Sequence, residues 1–475
     1  MANKTKIVAT IGPASSSKAI LRKMISAGMN VARLNFSHGG YTEHEKAIQY
    51  LRSLSDEMGK PVGILLDLQG PKIRTGELLH GKAVQLKRNA TVRITTGDVV
   101  GGPDGLISTT YKRLPRDVGE GDTILIDDGM IELRVLSVSK NTVTCKVIQG
   151  GLLKEHKGIN LPGIPVSVPS LTDKDKKDLE FGIRAGVDYV ALSFVRKAQD
   201  IRQIKALLEN KDADIPVIAK IEKPEAVASL DSILKVADGV MIARGDLGVE
   251  MKPEEVPTIQ KRIIIKAIAA NKPVITATQM LETMIEHPVP TRAEASDVAN
   301  AIIDGTDAIM LSGETAVGRY PVKAVRMMSR IAAVAEGSPF MHYNLPFKRD
   351  PKELVAHAVS QSAVDILHEL NAKAIIVFSV SGKTSKLISK QRPAKPVFSF
   401  SPSTRIYNRL SLIWGITPLM IPPINDAKKI IEAGEDVLVE RRFLKQEDLI
   451  IIVTGLALKK GSTNMIKIHR VGHED

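Results

Sequence analysis

Eight short runs of Val, Ile, Leu and Ala, most of them followed by polar or glycine residues and then a helix-patterned segment, constrain this chain more than any other feature. They are KIVATIG from Lys6, VARLNF from Val31, GILLDL from Gly63, YVALSF from Tyr189, PVIAKI from Pro216, GVMIAR from Gly239, PVITAT from Pro273 and AIMLSG from Ala308. Near-continuous apolar runs are the signature of parallel strands buried on both faces. Eight of them, most joined by connections long enough for a helix, predict an α/β fold of the (β/α)8 TIM barrel type, with an open doubly wound sheet as the alternative.

More than a hundred residues separate the third run from the fourth, too many for an ordinary βα connection. Their texture also changes. AVQLKRNATVRITTGD and TILIDDGMIELRVLSVSKNTVTCKVIQGG alternate apolar and polar residues at strand spacing, with turn signals at Asp127–Gly129 and Ser139–Asn141. This predicts an inserted β lid domain at residues 72–167, interrupting a catalytic barrel made of 1–71 and 168–345. From 346 to 475 the pattern restarts with the helical stretch ELVAHAVSQSAVDILHEL and the strand candidates AKAIIVFSV, AKPVFSFS and DLIIIVTG, a separate C-terminal α/β domain.

Composition narrows the functional classes. At 43% hydrophobic and 25% charged residues the 475-residue chain is globular, and no apolar run reaches the length of a membrane span. The start MANKTKIVAT does not read as a signal peptide, and a single cysteine, Cys145, fits a reducing compartment, so the chain is expected in the cytoplasm and away from membranes. The net charge of +13 admits nucleic acid, a membrane surface or small anions as partners. With aromatic residues at 4% and no long basic tract, nucleic acid is not expected. Residues 346–475 hold 20 Lys and Arg against 13 Asp and Glu, which reads either as a solvated basic surface or as an anion site.

In a (β/α)8 barrel, chemistry sits where strands end. Polar residues fall there in this chain: Arg33, Asn35, Ser37 and His38 after the second run, Asp67 after the third, Lys220 and Glu222 after the fifth. Arg244 and Asp246 follow the sixth, Thr278 the seventh, Ser312 and Glu314 the eighth. Lys220 and Glu222, two apart, share a side of their strand. With Asp246, flanked by Gly245 and Gly248, they form a candidate Mg²⁺ site, because magnesium is held by one or two carboxylates with water and phosphate completing its shell. A metal, a lysine and several arginines are what phosphoryl transfer needs, since its catalysis is mostly positioning and charge neutralisation. A Schiff-base role for Lys220 is the alternative, although neighbouring carboxylates raise a lysine's pKa. SGKTSK at Ser381–Lys386 lacks the earlier glycine of a P-loop, Val377 standing there, and reads either as a phosphate-binding turn or as a capped strand-to-helix turn.

The segments KIVATIGPAS, MNVARLNFSHG, LLDLQGPKIRTG, IAKIEKPEAV, MIARGDLGVE, ITATQMLE and PTRAEASDVANAIIDGTDAIMLSGETAVGRYP resemble the pyruvate kinase family from one end of the chain to the other. The resemblance implies transfer of phosphate from phosphoenolpyruvate to ADP in a homotetramer, with a β-barrel lid and a C-terminal regulatory domain. It implies that Lys220 stabilises the moving phosphoryl group, that Glu222 and Asp246 hold Mg²⁺ or Mn²⁺, and that Gly245, Asp246 and Thr278 bind the substrate carboxylate. Arg33 and Arg74 would clamp phosphates, and His38 and Lys197 would touch the nucleotide. Asn35, Ser37, Asp67 and the Leu68 carbonyl match the family's monovalent-cation ligands. Lys72 stands where K⁺-dependent relatives have glutamate, which implies that its ammonium occupies the role of K⁺ beside Asp67 and that K⁺ is not required. Ser379, Ser381, Gly382, Lys383, Thr384 and Ser385, with KKGSTN at Lys459–Asn464, match the effector site. Val380, where some relatives place a phosphate-binding lysine, points to a phosphorylated effector of the monophosphate kind. Ser167 stands where many relatives carry an acid. The competing readings are a Mg²⁺-dependent barrel lyase or mutase acting on a pyruvate or phosphoenolpyruvate enolate, and a basic binding protein without activity.

Overall fold

The computed structural model describes residues 3–164, 166–341, 354–424, 426–455 and 463–473. All eight apolar runs are strands: β1 (Lys6–Ile11), β2 (Val31–Asn35), β3 (Gly63–Asp67), β4 (Tyr189–Leu192), β5 (Val217–Ile221), β6 (Gly239–Ala243), β7 (Val274–Ala277) and β8 (Ala308–Leu311). They pair in parallel in chain order, and β8 returns to β1 to close the barrel, so the open-sheet alternative is excluded. Helices begin where side chains satisfy the free N–H groups of their first turn, as Thr172 and Thr291 do in reciprocal capping boxes with Asp175 and Glu294. Their apolar faces, including Leu21, Leu51, Ile201, Ile263 and Val325, bury the outward residues of the strands.

The chain leaves the barrel after β3 at Gly70, where two constraints both require glycine: φ is 68°, and a Cβ would stand only 2.6 Å from the Phe194 ring. Six of the insert's strands form a sheet in the spatial order 159–160, 123–126, 131–138, 142–149, 91–95 and 106–108, and 84–86 pairs separately with 151–153. The segment Ile73–Gly76 reaches both edges of that sheet. Thr75 N–H donates to the Lys157 carbonyl and Ile159 N–H to the Ile73 carbonyl on one side; Gly76 N–H donates to the Ser108 carbonyl and Thr110 N–H to the Arg74 carbonyl on the other. These bonds close the insert into a small β-barrel around Ile94, Ile124, Leu133, Val143 and Cys145. The Asp127–Gly129 turn runs through left-handed backbone at all three residues, as a tight hairpin demands.

The C-terminal unit is a five-stranded sheet in the order 416–420, 397–401, 374–378, 449–455 and 463–470, its last pair antiparallel. Two of these strands, Ile416–Met420 and Thr463–Arg470, are not expected from the sequence pattern. Both lie at sheet edges, where Pro418 is tolerated and alternation is relaxed. The junction at 345/346 falls outside the described residues, as does most of the Lys459–Asn464 turn. Among the described residues no helix is long and apolar enough to cross a membrane.

The C-terminal unit closes the amino-terminal mouth of the barrel. Leu412 joins the interior cluster of Val8, Val31, Leu65, Tyr189, Ile218 and Met241, and the Tyr189 hydroxyl donates to the Arg409 carbonyl at 2.6 Å. Lys390 and Arg392 flank Asp307 at 2.6 and 3.1 Å, all three side chains at most 3% exposed. We expect Leu412→Ala to destabilise the protein by about 2–5 kcal/mol, the range for emptying a fully buried leucine site. The sole tryptophan, Trp414, is buried two residues away and reports denaturant unfolding of this junction by fluorescence; an unshifted midpoint would show that Leu412 is not a packed plug.

Candidate active site

Alternate residues of a barrel strand face the interior. Val8, Val31, Leu65, Ala191 and Ile218 belong to the apolar interior cluster, and two residues further along each chain stand Thr10, Arg33, Asp67, Ser193 and Lys220. The period-2 rule thus stacks a polar layer directly on the apolar ones.

That layer is one connected ionic network. Arg33 Nε donates to Asp67 Oδ2 at 2.6 Å and its Nη1 to Thr10 Oγ1 at 2.9 Å. Lys220 Nζ lies 3.3 Å from Asp67 Oδ1 and 2.7 Å from Glu222 Oε1, and donates to Ser193 Oγ at 2.7 Å. Ser193 in turn donates to the Leu68 carbonyl at 2.7 Å. Phe194, held at φ 54°, aims its N–H at Glu222 Oε2, 2.9 Å away.

Burial by itself lowers a lysine's pKa, but Asp67 and Glu222 outweigh it and raise that of Lys220 above its ordinary value. The lysine is therefore a fixed cation, which disfavours the Schiff-base reading. Burial would raise the pKa of Asp67, and Lys220 and Arg33 reverse this and hold it low. Glu222 is pushed up by burial and, against the pull of Lys220, by the nearby charge of Asp246. Two hard carboxylates that repel each other beside a solvent-facing cleft fit a divalent cation with few protein ligands. Magnesium is usually held by one or two carboxylates with water and phosphate completing its shell, and the Glu222 and Asp246 carboxylates are a donor set of that kind.

Next to this network, Thr278 occupies left-handed backbone at φ 67°, costly for a β-branched residue, followed by Gln279 at 52°. Arg244 holds this turn by donating to the carbonyls of Thr278 and Gln279 at 2.9 and 3.0 Å while forking onto Asp297 with two bonds of 2.7 Å. The Gly245 N–H, expected to face a ligand, donates here to Thr278 Oγ1 at 2.7 Å. Asp246 is exposed and lines the cleft between insert and barrel together with Lys72, Asn160, Phe194 and Lys223.

Other expected residues sit differently. Asn35 Oδ1 accepts from the Ser37 N–H at 3.2 Å, and the Leu68 carbonyl is taken by Ser193. Lys72 does not reach Asp67: the turn at Gly70 sends it, exposed, toward Gly158 of the insert, and Asp67 is neutralised by Arg33 and Lys220 instead. Its field is nonetheless felt locally, since burial first, then Lys72, Arg74 and Arg33, lower the pKa of exposed His38. Arg74, on the segment that closes the insert, has a buried Nε with no hydrogen-bond partner among the described residues. Lys197 is exposed at the start of helix Ala198–Glu209, and among the described residues no hydrogen bond ties its side chain to the network. Ser167 gives both its N–H and its hydroxyl to Asp117, so a carboxylate stands beside that position.

In the C-terminal unit, Ser379 Oγ accepts from the Gly382 N–H at 3.0 Å, and Gly382, at φ 72°, caps helix Lys383–Lys390. Ser381 and Lys383 are half-buried. Ser385, expected to face a phosphate, is fully buried because it lies on the helix face packed against the sheet, its hydroxyl 2.6 Å from that of Ser399, and Thr384 is 4% exposed.

Sequence reasoning missed Ser193, Thr10 and Asp297. For Ser193 the signal was present: it follows YVAL as Asp67 follows the apolar part of GILLD. Asp297 lies mid-helix and nothing local distinguishes it.

Known proteins agree with this architecture. The family model for the pyruvate kinase barrel domain matches residues 2–325, and that for the pyruvate kinase alpha/beta domain matches 357–469. A pyruvate kinase of Sporosarcina psychrophila is 46% identical over 99% of this chain and 80% of its own length. One from Mycobacterium tuberculosis is 45% identical over the full length of both. A crystal structure of a pyruvate kinase from Cryptosporidium parvum superposes with a TM-score of 0.91 at 38% identity, covering 99% of this chain and 96% of that one. With both domain models matched and full-length relatives at this identity, the chain belongs to the pyruvate kinase family.

Proposed function

We propose that the polar layer of Arg33, Asp67, Lys220 and Glu222, with Asp246 and Thr278 beside it, is where this chain carries out its family's reaction. That reaction moves the phosphoryl group of phosphoenolpyruvate to ADP, giving pyruvate and ATP, and the family generally needs Mg²⁺. The relatives named above are kinases, which leaves the lyase or mutase reading without support. The observation that carries the assignment is Lys220, a buried cation fixed by Asp67, Ser193 and Glu222 at the top of the barrel interior.

In the reaction the bond between phosphorus and the enol oxygen breaks, a β-phosphate oxygen of ADP bonds to phosphorus, and the enolate carbon takes a proton. Lys220 places its ammonium against the oxygens that gain charge as that bond loosens. Arg33, its fork oriented by Asp67 and Thr10, binds the substrate phosphate, and Arg74 approaches from the insert. Glu222 and Asp246 hold the divalent cation, Mg²⁺ or Mn²⁺, which when bound neutralises phosphate oxygens. Thr278, with the N–H groups of Gly245 and Asp246, receives the carboxylate, the substrate displacing the bond between Gly245 and Thr278. His38 and Lys197 line the nucleotide side, and residues 72–167 act as a lid. The family resemblance further supports a homotetramer in the cytoplasm.

Lys220→Met should lower kcat by about 10²–10³, the effect of removing one preorganised charge stabiliser, while the KM for phosphoenolpyruvate changes far less. Near-normal turnover of the folded variant would remove Lys220 from the mechanism.

The monovalent-cation site is read as dispensable. Arg33 and Lys220 already neutralise Asp67, and Lys72 adds a fixed positive charge at the cleft mouth. Wild type should be active in tetramethylammonium salts with little stimulation by K⁺, and Lys72→Glu should acquire K⁺ dependence at constant ionic strength. A wild type inactive until K⁺ is added overturns this.

A phosphorylated small molecule is read to bind at the Ser379–Lys383 turn, where a helix start, two hydroxyls and the basic excess of the C-terminal unit coincide. Ribose 5-phosphate, glucose 6-phosphate or AMP should lower the half-saturating phosphoenolpyruvate concentration, and Lys383→Glu should abolish that shift. Activation intact in the variant would place the effector elsewhere.

A further inference from the structure

Glu250, the last residue of helix Arg244–Glu250, is buried, and one of its oxygens carries two bonds from two different parts of the chain. Oε1 accepts from Lys223 Nζ at 2.5 Å and from Asn160 Nδ2 at 2.8 Å. Asn160 lies on the edge strand Ile159–Asn160 of the insert, so the second bond crosses from insert to barrel. Lys223 directly follows Glu222, and its ammonium lies 5.7 Å from the centre of the Phe194 ring. Phe194 is the residue whose N–H fixes Glu222 Oε2. Asp246 precedes Glu250 by four residues on the same short helix, one turn away on the same face. A single carboxylate therefore joins the helix that carries Asp246, the peptide that carries Glu222 and the body of the insert.

We propose that Glu250 is a positioning residue that couples seating of the insert on the barrel to the geometry of the divalent site; this rests on the reading of Glu222 and Asp246 as its ligands. Lys223 and Glu250 pin the Glu222 peptide to the helix of Asp246, and Asn160 adds its bond only when the insert is seated. Because coupling between two events is reciprocal, a cation held by Glu222 and Asp246 favours the seated insert as much as the seated insert favours the cation.

The test uses Mn²⁺ alone as probe, without nucleotide or phosphoenolpyruvate, with free Mn²⁺ read by electron paramagnetic resonance and amide exchange followed at 73–74 and 166–168. Asn160→Ala removes the donor and leaves the buried Lys223–Glu250 pair intact. Asn160→Asp keeps the shape and sets a second carboxylate against Glu250. We expect Mn²⁺ binding to weaken about fivefold or more in Asn160→Ala, the lower end of coupling between sites, and further in Asn160→Asp. Mn²⁺ should slow exchange at these connections in wild type and leave it unchanged in both variants. A packing role predicts the opposite order, with the isosteric Asp the milder change. Wild-type Mn²⁺ affinity in both variants, or that opposite order, overturns the coupling. Glu222→Gln is the control for the site itself: if it binds Mn²⁺ like wild type, the ligand assignment fails, and the coupling built on it falls too.

Discussion

The structure is organised around the contact between Asp67 and the two cations that face it, Arg33 and Lys220. An isolated charge in a barrel interior is prohibitively costly, and even a buried pair seldom repays its desolvation. Here each charge meets an opposite one, the Thr10 and Ser193 hydroxyl oxygens accept from Arg33 and Lys220, and the Phe194 N–H donates to Glu222. Removing one partner would leave another buried and uncompensated, a penalty of about 3–5 kcal/mol. Such a network adds little net stability and instead fixes orientation, because every side chain in it is over-determined by neighbours on other strands. It can persist only if β2, β3, β4 and β5 keep their register, which the closed barrel enforces.

Closure at the opposite mouth follows the same logic with different chemistry. Leu412 completes the apolar interior, while Asp307, at the entry to β8, takes Lys390, Arg392 and the Val274 N–H. Burial pushes the Lys390 pKa down to about 8 against the opposing attraction of Asp307. Helix Lys383–Lys390 begins at the turn capped by Gly382 and ends at this buried pair, so one short helix runs from the carboxyl edge of the C-terminal sheet to the base of the barrel. The insert is attached less firmly, by its two chain connections, by Arg196 holding the carbonyls of Val166 and Val168, and by Asn160 on Glu250.

Two of the left-handed non-glycine positions lie at the site. Phe194 and Thr278 hold left-handed backbone at the ends of β4 and β7, and each uses that conformation to aim a group inward, the N–H of one at Glu222 and the hydroxyl of the other at the Gly245 N–H. Arg244 and Asp297 hold the second turn in place. Strained, over-determined positions of this kind are characteristic of reacting centres.

The sequence by itself determined the strands and their order, the insertion, and the pairing of Lys220 with Glu222, because burial on two faces leaves an unbroken apolar run and a period of two fixes which side chains agree in direction. It did not determine edge strands, where solvent relaxes the pattern and Pro418 reads as a breaker. Nor did it determine where side chains point once the chain leaves regular structure. Lys72 follows a glycine turn and faces the insert instead of Asp67, Ser385 sits on the inner face of its helix, and Asp297 acquires its role only because Arg244 arrives from the start of another helix. These depend on contacts between residues far apart in the chain, which only the closed tertiary structure brings within bonding distance.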